Sequence, residues 1–247
     1  MIQATQIRRI GFDMDGVLLY NPSRIFRALI SRSKQAHLFP RKELEFYHPN
    51  TNLEKLLWVL VHQSSFKMAD GFSDLENFAH NNQVELHIVS ARFSCLQADT
   101  RKWLKRLNRQ QIFTSCNFND LDEQPHLFKA RMIDELKLDY FVEDNFDVVH
   151  YLATRESLSE KSHSAASQQT SAKKSVFSPQ VGSTTIVEKN SHFDSNLPPF
   201  AEKGTSRTDS KAKTEIWWLS NILDQHIAYP HKFVNFKEVV AALSQNK

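Results

Sequence analysis

The sequence predicts an α/β fold, a doubly wound parallel sheet of five strands covered by helices on both faces. Two observations predict it. Short apolar runs alternate with helical patterns along the chain, and polar residues of strong chemical character stand where those runs end. The runs lie near Arg8 to Asp13, Val84 to Ser90, Gln111 to Cys116, Tyr140 to Glu143 and Glu215 to Leu219. Parallel strands buried on both faces need such near-continuous hydrophobicity, and ligands gather outside their carboxyl ends.

The first run ends in Asp13-Met14-Asp15-Gly16. Side chains two apart on an extended segment point the same way, so both carboxylates reach into one crevice. Two like charges beside an apolar run repel each other and lose hydration, which calls for a compensating cation or reacting group. The pair suits Mg2+ together with a phosphate ester, because the hard cation takes oxygen ligands from one or two carboxylates plus phosphate oxygens. Gly16 lets the chain turn away sharply. The bland alternative is an Asp-Gly turn or helix cap. A calcium loop is excluded, because Val17 and Leu18 occupy the places that would need an oxygen side chain and a glycine.

A mainly helical section spans about Asn21 to Asp70. Its greasiest stretch, Leu56 to Val61, reads as a buried helix. The second strand, Val84 to Ser90, leads into a helix opened by a capping-box pattern at Ser94 and Gln97, with Leu96, Trp103, Leu104 and Leu107 at helical spacing. Phe128, Met132 and Leu136 mark the buried stripe of a later helix, with Lys129 beside that stripe. Glu143-Asp144 follows the fourth strand. A final helix carries Phe236, Val239, Val240 and Leu243 on one face. From Glu156 to Lys213 the chain is rich in Ser, Thr, Lys, Gln and Asn without an apolar period, which predicts a disordered insertion.

Four of these segments, in order, resemble the motifs of the haloacid dehalogenase-like (HAD) superfamily. They are Ile10 to Leu18, the Val84 to Arg92 strand with Ser90 at its end, the helix bearing Lys129, and Asp139 to Asn145 with its acidic pair. The resemblance covers about Arg8 to Leu152 and resumes near Thr214. It departs from the family where Glu143-Asp144 replaces the more usual Gly-Asp or Asp-Asp.

The resemblance implies a Rossmann-like core made of residues 1–20, 71–155 and 214–247, with a small helical cap at 21–70 inserted after the first strand. It implies a Mg2+-dependent phosphomonoester hydrolase in which Asp13 is the nucleophile and Asp15 the acid/base. Asp13, the Asp15 carbonyl and Asp144 would hold the metal, with Glu143 acting through water. Ser90 and Lys129 would bind and neutralise the phosphoryl group. Arg92 is either a further phosphate ligand or a surface arginine. Phe26, Phe39, Phe46, Tyr47 and Trp58 either pack the cap, the preferred reading, or line a substrate pocket.

The segments around the site look similar to 5'(3')-deoxyribonucleotidase relatives, which implies a small phosphorylated metabolite such as a nucleotide. A sugar phosphate, phosphotransfer to another acceptor, and a non-catalytic scaffold that recruits partners through the insertion are the competing readings. The net charge of +3 is spread without a concentrated basic face, which argues against a nucleic-acid partner. The basic residues Arg101, Lys102, Lys105, Arg106 and Arg109 suit a solvated helix face. Two cysteines, no signal-like segment and no bilayer-length apolar run lead to the expectation of a cytoplasmic protein without membrane partners.

Overall fold

The structure, a computed structural model, describes residues 7–21, 44–62, 65, 67–155, 213–221, 224 and 226–246. The expected insertion lies outside the described residues except for Lys213, and so does the 22–43 part of the expected cap, with Phe26 and Phe39. Strands β1 (Arg8–Phe12), β4 (Val84–Ser90), β5 (Phe113–Phe118), β6 (Tyr140–Glu143), β7 (Glu215–Leu219) and β8 (Lys232–Phe233) form one sheet in the order β5-β4-β1-β6-β7-β8. Every pairing in it is parallel. Two-residue strands β2 (Leu19–Tyr20) and β3 (Lys67–Met68) pair separately and antiparallel.

The sheet has six strands rather than five. The sixth is a two-residue edge strand, too short for a periodic signal, and its Phe233 carbonyl accepts hydrogen bonds from the amide and hydroxyl of Ser220. The third long strand begins two residues later than its apolar run suggests. Gln111 takes a left-handed φ of 52°, and the Phe113 amide is tied to the Asn108 side chain, so pairing starts at Phe113.

Helices α1 (Asn52–His62), α2 (Phe72–Asn81), α3 (Gln97–Leu107), α4 (Pro125–Leu136), α5 (146–155) and α6 (Phe236–Gln245) complete the described elements. Alternation across the sheet divides the core into two layers. Ile10, Phe12, Ile88 and Trp217 pack with Phe72, Leu104 and Val239 on one face, while Val89, Phe141 and Trp218 pack with Phe128, Ile133 and Val149 on the other. Helix α6 opens on Asn235, whose side chain accepts from the Glu238 amide.

Two local expectations are corrected. Ser94 does not cap α3; its amide and hydroxyl both bond to Asp122, and a 3-10 turn over Ser94–Leu96 precedes the helix. Helix α1 forms under a capping box between Thr51 and Glu54, but Leu56, Leu57 and Leu60 are exposed rather than buried. The helix leans inward through Trp58 and His62, with Trp58 against Phe93, and this leaves the leucine face outward. No helix among the described residues is long and apolar enough to cross a membrane, and Cys95 and Cys116 are both free.

Gly11 has no room for a side chain, because a Cβ there would collide with the buried side chains of Leu138 and Phe141. Gly11→Ala is therefore expected to lower the unfolding free energy by about 1–3 kcal/mol. Urea denaturation checks this.

Candidate active site

Three neighbouring strands deliver the candidate residues to one place. β1 lies between β4 and β6, and the chain adds strands first on one side of it and then on the other. That reversal is where open α/β sheets form ligand crevices. Asp13 follows β1 directly, and its amide donates to the Val142 carbonyl at 2.9 Å. Ser90 is the last residue of β4, Glu143 the last of β6, and Asp144 comes next.

The loop after Asp13 is a tight turn closed by hydrogen bonds. The Leu18 and Leu19 amides donate to the Met14 carbonyl, and the Gly16 amide donates to the Leu19 carbonyl. Gly16 has a φ of 85°, a conformation that L side chains rarely adopt, so the glycine is required for Asp15 to return to the crevice. Asp13, Asp15, Ser90, Glu143 and Asp144, with Arg92 and Lys129, line a cavity of about 260 Å³.

Lys129 lies in α4 yet is buried, because its ammonium reaches the Glu143 Oε2 at 2.6 Å and the Asp13 Oδ1 at 3.2 Å. Burial disfavours its charge, but Asp13 and Glu143 more than offset this and raise its pKa. Glu143 is fully buried, and its other oxygen accepts the Asn145 amide at 3.0 Å. Burial pushes its carboxyl up despite the attraction of Lys129.

Asp13 is pushed well above the ordinary carboxylate range, mainly by burial. Lys129 opposes this, while Glu143, Asp144 and Asp15 add to it. A protonated carboxyl is a poor nucleophile and a poor metal ligand, so an ionised Asp13 calls for more positive charge than Lys129 alone provides.

A divalent metal fits that deficit. Asp13, Glu143 and Asp144 can each offer a ligand atom, and those atoms lie within 4.8 Å of one another. An all-oxygen donor set of this kind suits a hard cation. The Ser90 hydroxyl is buried and makes no hydrogen bond among the described residues, so it is available to a bound group.

Arg92 is neither a surface arginine nor open to solvent. Its Nε and Nη2 donate to the two oxygens of Asp15 at 2.6 and 2.8 Å, and its Nη1 donates to Asp99 at 2.7 Å. Phe46, Tyr47 and Trp58 line the cavity, joined by His62 and Phe93, which sequence reasoning had not singled out. Asp99 and Ser65, whose hydroxyl donates to Asp15 at 3.3 Å, also carried no sequence signal. Asp99 reaches the site from the first turn of α3 and Ser65 from the chain beyond α1.

No protein-family model and no curated protein sequence matches this chain. Among solved structures it is similar to a HAD-superfamily hydrolase from Ehrlichia chaffeensis, at 11% identity over 98% of each chain with a TM-score of 0.43. It is also similar to a haloacid dehalogenase-like hydrolase from Streptococcus pneumoniae, at 14% identity over 60% of this chain and 80% of that one, TM-score 0.37. A HAD-superfamily hydrolase from Geobacter sulfurreducens gives 15% identity over 60% and 85%, TM-score 0.31.

Removing one partner of a buried ion pair leaves an uncompensated charge. Lys129→Met in metal-free buffer is expected to cost about 3–5 kcal/mol of unfolding free energy. Adding Glu143→Gln should recover part of that loss, and denaturant titrations of the single and double variants check both.

Proposed function

We propose that this chain is a HAD-like, Mg2+-dependent phosphomonoester hydrolase working through an aspartyl-phosphate. The observation that carries this reading is the convergence of Asp13, Ser90, Lys129 and Asp144 on one cavity from separate elements. Asp13 is the nucleophile. Its oxygen forms a bond to phosphorus as the ester bond breaks, and the leaving oxygen takes a proton from Asp15. Asp15 then accepts a proton from the water that attacks phosphorus, which releases phosphate and restores Asp13.

Lys129, 3.2 Å from Asp13, lowers the repulsion between nucleophile and phosphoryl group, and the Ser90 hydroxyl donates to a phosphoryl oxygen. Asp13, Asp144 and the Asp15 carbonyl would hold the metal, which would supply positive charge to offset the repulsion between nucleophile and phosphate. Glu143 remains chiefly the partner of Lys129, with any bond to the metal made through water.

The alcohol side of the substrate faces rings. Trp58 lies 5.9 Å from Tyr47 and 6.5 Å from Phe93, centroid to centroid, all beside the carboxylates. Such a wall suits a planar base, which favours a nucleoside monophosphate over a sugar phosphate as substrate and gives the cap segment a binding role. Sugar-phosphate hydrolysis or transfer to another acceptor on the same residues is the competing outcome of a substrate screen.

Wild type is expected to release phosphate from 4-nitrophenyl phosphate and nucleoside monophosphates only with Mg2+, and Asp13→Asn to lose at least about 10³-fold in kcat, since nucleophile loss removes the covalent route. A colorimetric phosphate assay measures both. Equal rates for wild type and Asp13→Asn would reject the mechanism.

A further inference from the structure

We propose that Arg92 is a positioning residue for Asp15, not a phosphate ligand, and that it fixes the acid/base carboxylate by tying it to α3. The proposal rests on the phosphohydrolase reading above, because it concerns a group that reading places in proton transfer. Three observations carry it.

The first is the fork. Arg92 Nε meets Asp15 Oδ2 at 2.6 Å and Nη2 meets Oδ1 at 2.8 Å, the two-bond geometry that matches a planar guanidinium to a planar carboxylate. With Nη1 on Asp99, all three guanidinium nitrogens already donate to carboxylates.

The second is the anchor. Nη1 donates to Asp99 at 2.7 Å and lies 3.5 Å from the Thr100 hydroxyl, and both partners stand in the first turn of α3. Arg92 therefore bridges a loop carboxylate to a rigid helix.

The third is burial. The Arg92 side chain is 2% exposed and that of Asp15 8%, so rearrangement toward an incoming anion would leave one or both charges unpaired in a dry setting.

Proton transfer tolerates little displacement of the transferring oxygen. Asp15 sits on a tight glycine turn, where the Ser65 hydroxyl also donates to it at 3.3 Å. The fork sets the rotation of the carboxylate plane, and Asp99 sets the fork. Arg92 thus acts on turnover through Asp15 alone, and the phosphoryl group is gripped by other residues.

The test is a double-mutant cycle in kcat on 4-nitrophenyl phosphate, whose leaving group needs no proton, so that the contribution of Asp15 is read in hydrolysis of the intermediate, with inorganic phosphate as inhibitor. Arg92→Met is expected to lower kcat by about 10²-fold, the scale of a general acid/base contribution. KM and inhibition by inorganic phosphate should stay within about 3-fold of wild type. In an Asp15→Asn background the same substitution should cost almost nothing further. Asp99→Asn, which keeps the fork and weakens its anchor, should lower kcat by a smaller factor, again at constant KM. It carries the test if Arg92→Met does not fold.

A rise in KM with weakened phosphate inhibition, or a loss in the Asp15→Asn background as large as in wild type, would overturn the assignment and make Arg92 a phosphate ligand. An active wild type that loses activity in Asp13→Asn, combined with that result, would sink this proposal and leave the phosphatase reading standing. A wild type that hydrolyses no phosphate ester would sink both.

Discussion

Negative charge crowded into a buried crevice is the constraint around which this molecule is organised. Asp13, Glu143 and Asp144 meet within 4.8 Å, and among the described residues Lys129 is the ammonium that reaches two of them. Burial first, and the neighbouring carboxylates after it, push Asp13 and Glu143 upward against the pull of Lys129. A fold does not gain stability from such a cluster. It is instead a poised site, in which a cation and an anionic substrate each lower the cost of the other's presence.

The sheet makes the crowding possible. Parallel strands aim their carboxyl ends the same way, so residues far apart in sequence, such as Ser90, Glu143 and Asp13, become neighbours without any long loop. Trp217 and Trp218 lock opposite faces of β7 into the two core layers, and the Trp218 indole donates to the Asp144 carbonyl, so the support of the site is continuous with the core. Charges are paired in two sets. Lys129 serves the carboxylates at the ends of β1 and β6, while Arg92 is committed to Asp15 and Asp99. That division separates the group that would attack phosphorus from the group that would move protons.

Much of this was legible from residue order. Apolar runs locate the long strands because burial on both faces leaves a composition that few other elements share, and the acidic and hydroxyl residues at their ends mark the crevice. Partnership was harder to read. Arg92 has the same side chain whether it meets solvent, phosphate or Asp15, and only the approach of α3 decides between them. Lys129 looks like a solvated neighbour of the α4 stripe until β6 brings Glu143 to it. Ser94 bonds at long range to Asp122 instead of capping α3 locally. The leucines of α1 resemble a buried stripe, but Trp58 and His62 face inward instead.

Relief of the crowded crevice by a divalent ion is the central requirement, and thermal unfolding with and without Mg2+ tests it most directly. Wild type should gain about 2.7 kcal/mol at a Mg2+ concentration 100 times the dissociation constant, seen as a rise in Tm. Asp144→Asn should melt higher than wild type in metal-free buffer, because one of the clustered charges is gone, and should lose the Mg2+ response. A wild type indifferent to Mg2+, or an Asp144→Asn variant that responds as wild type does, would contradict it.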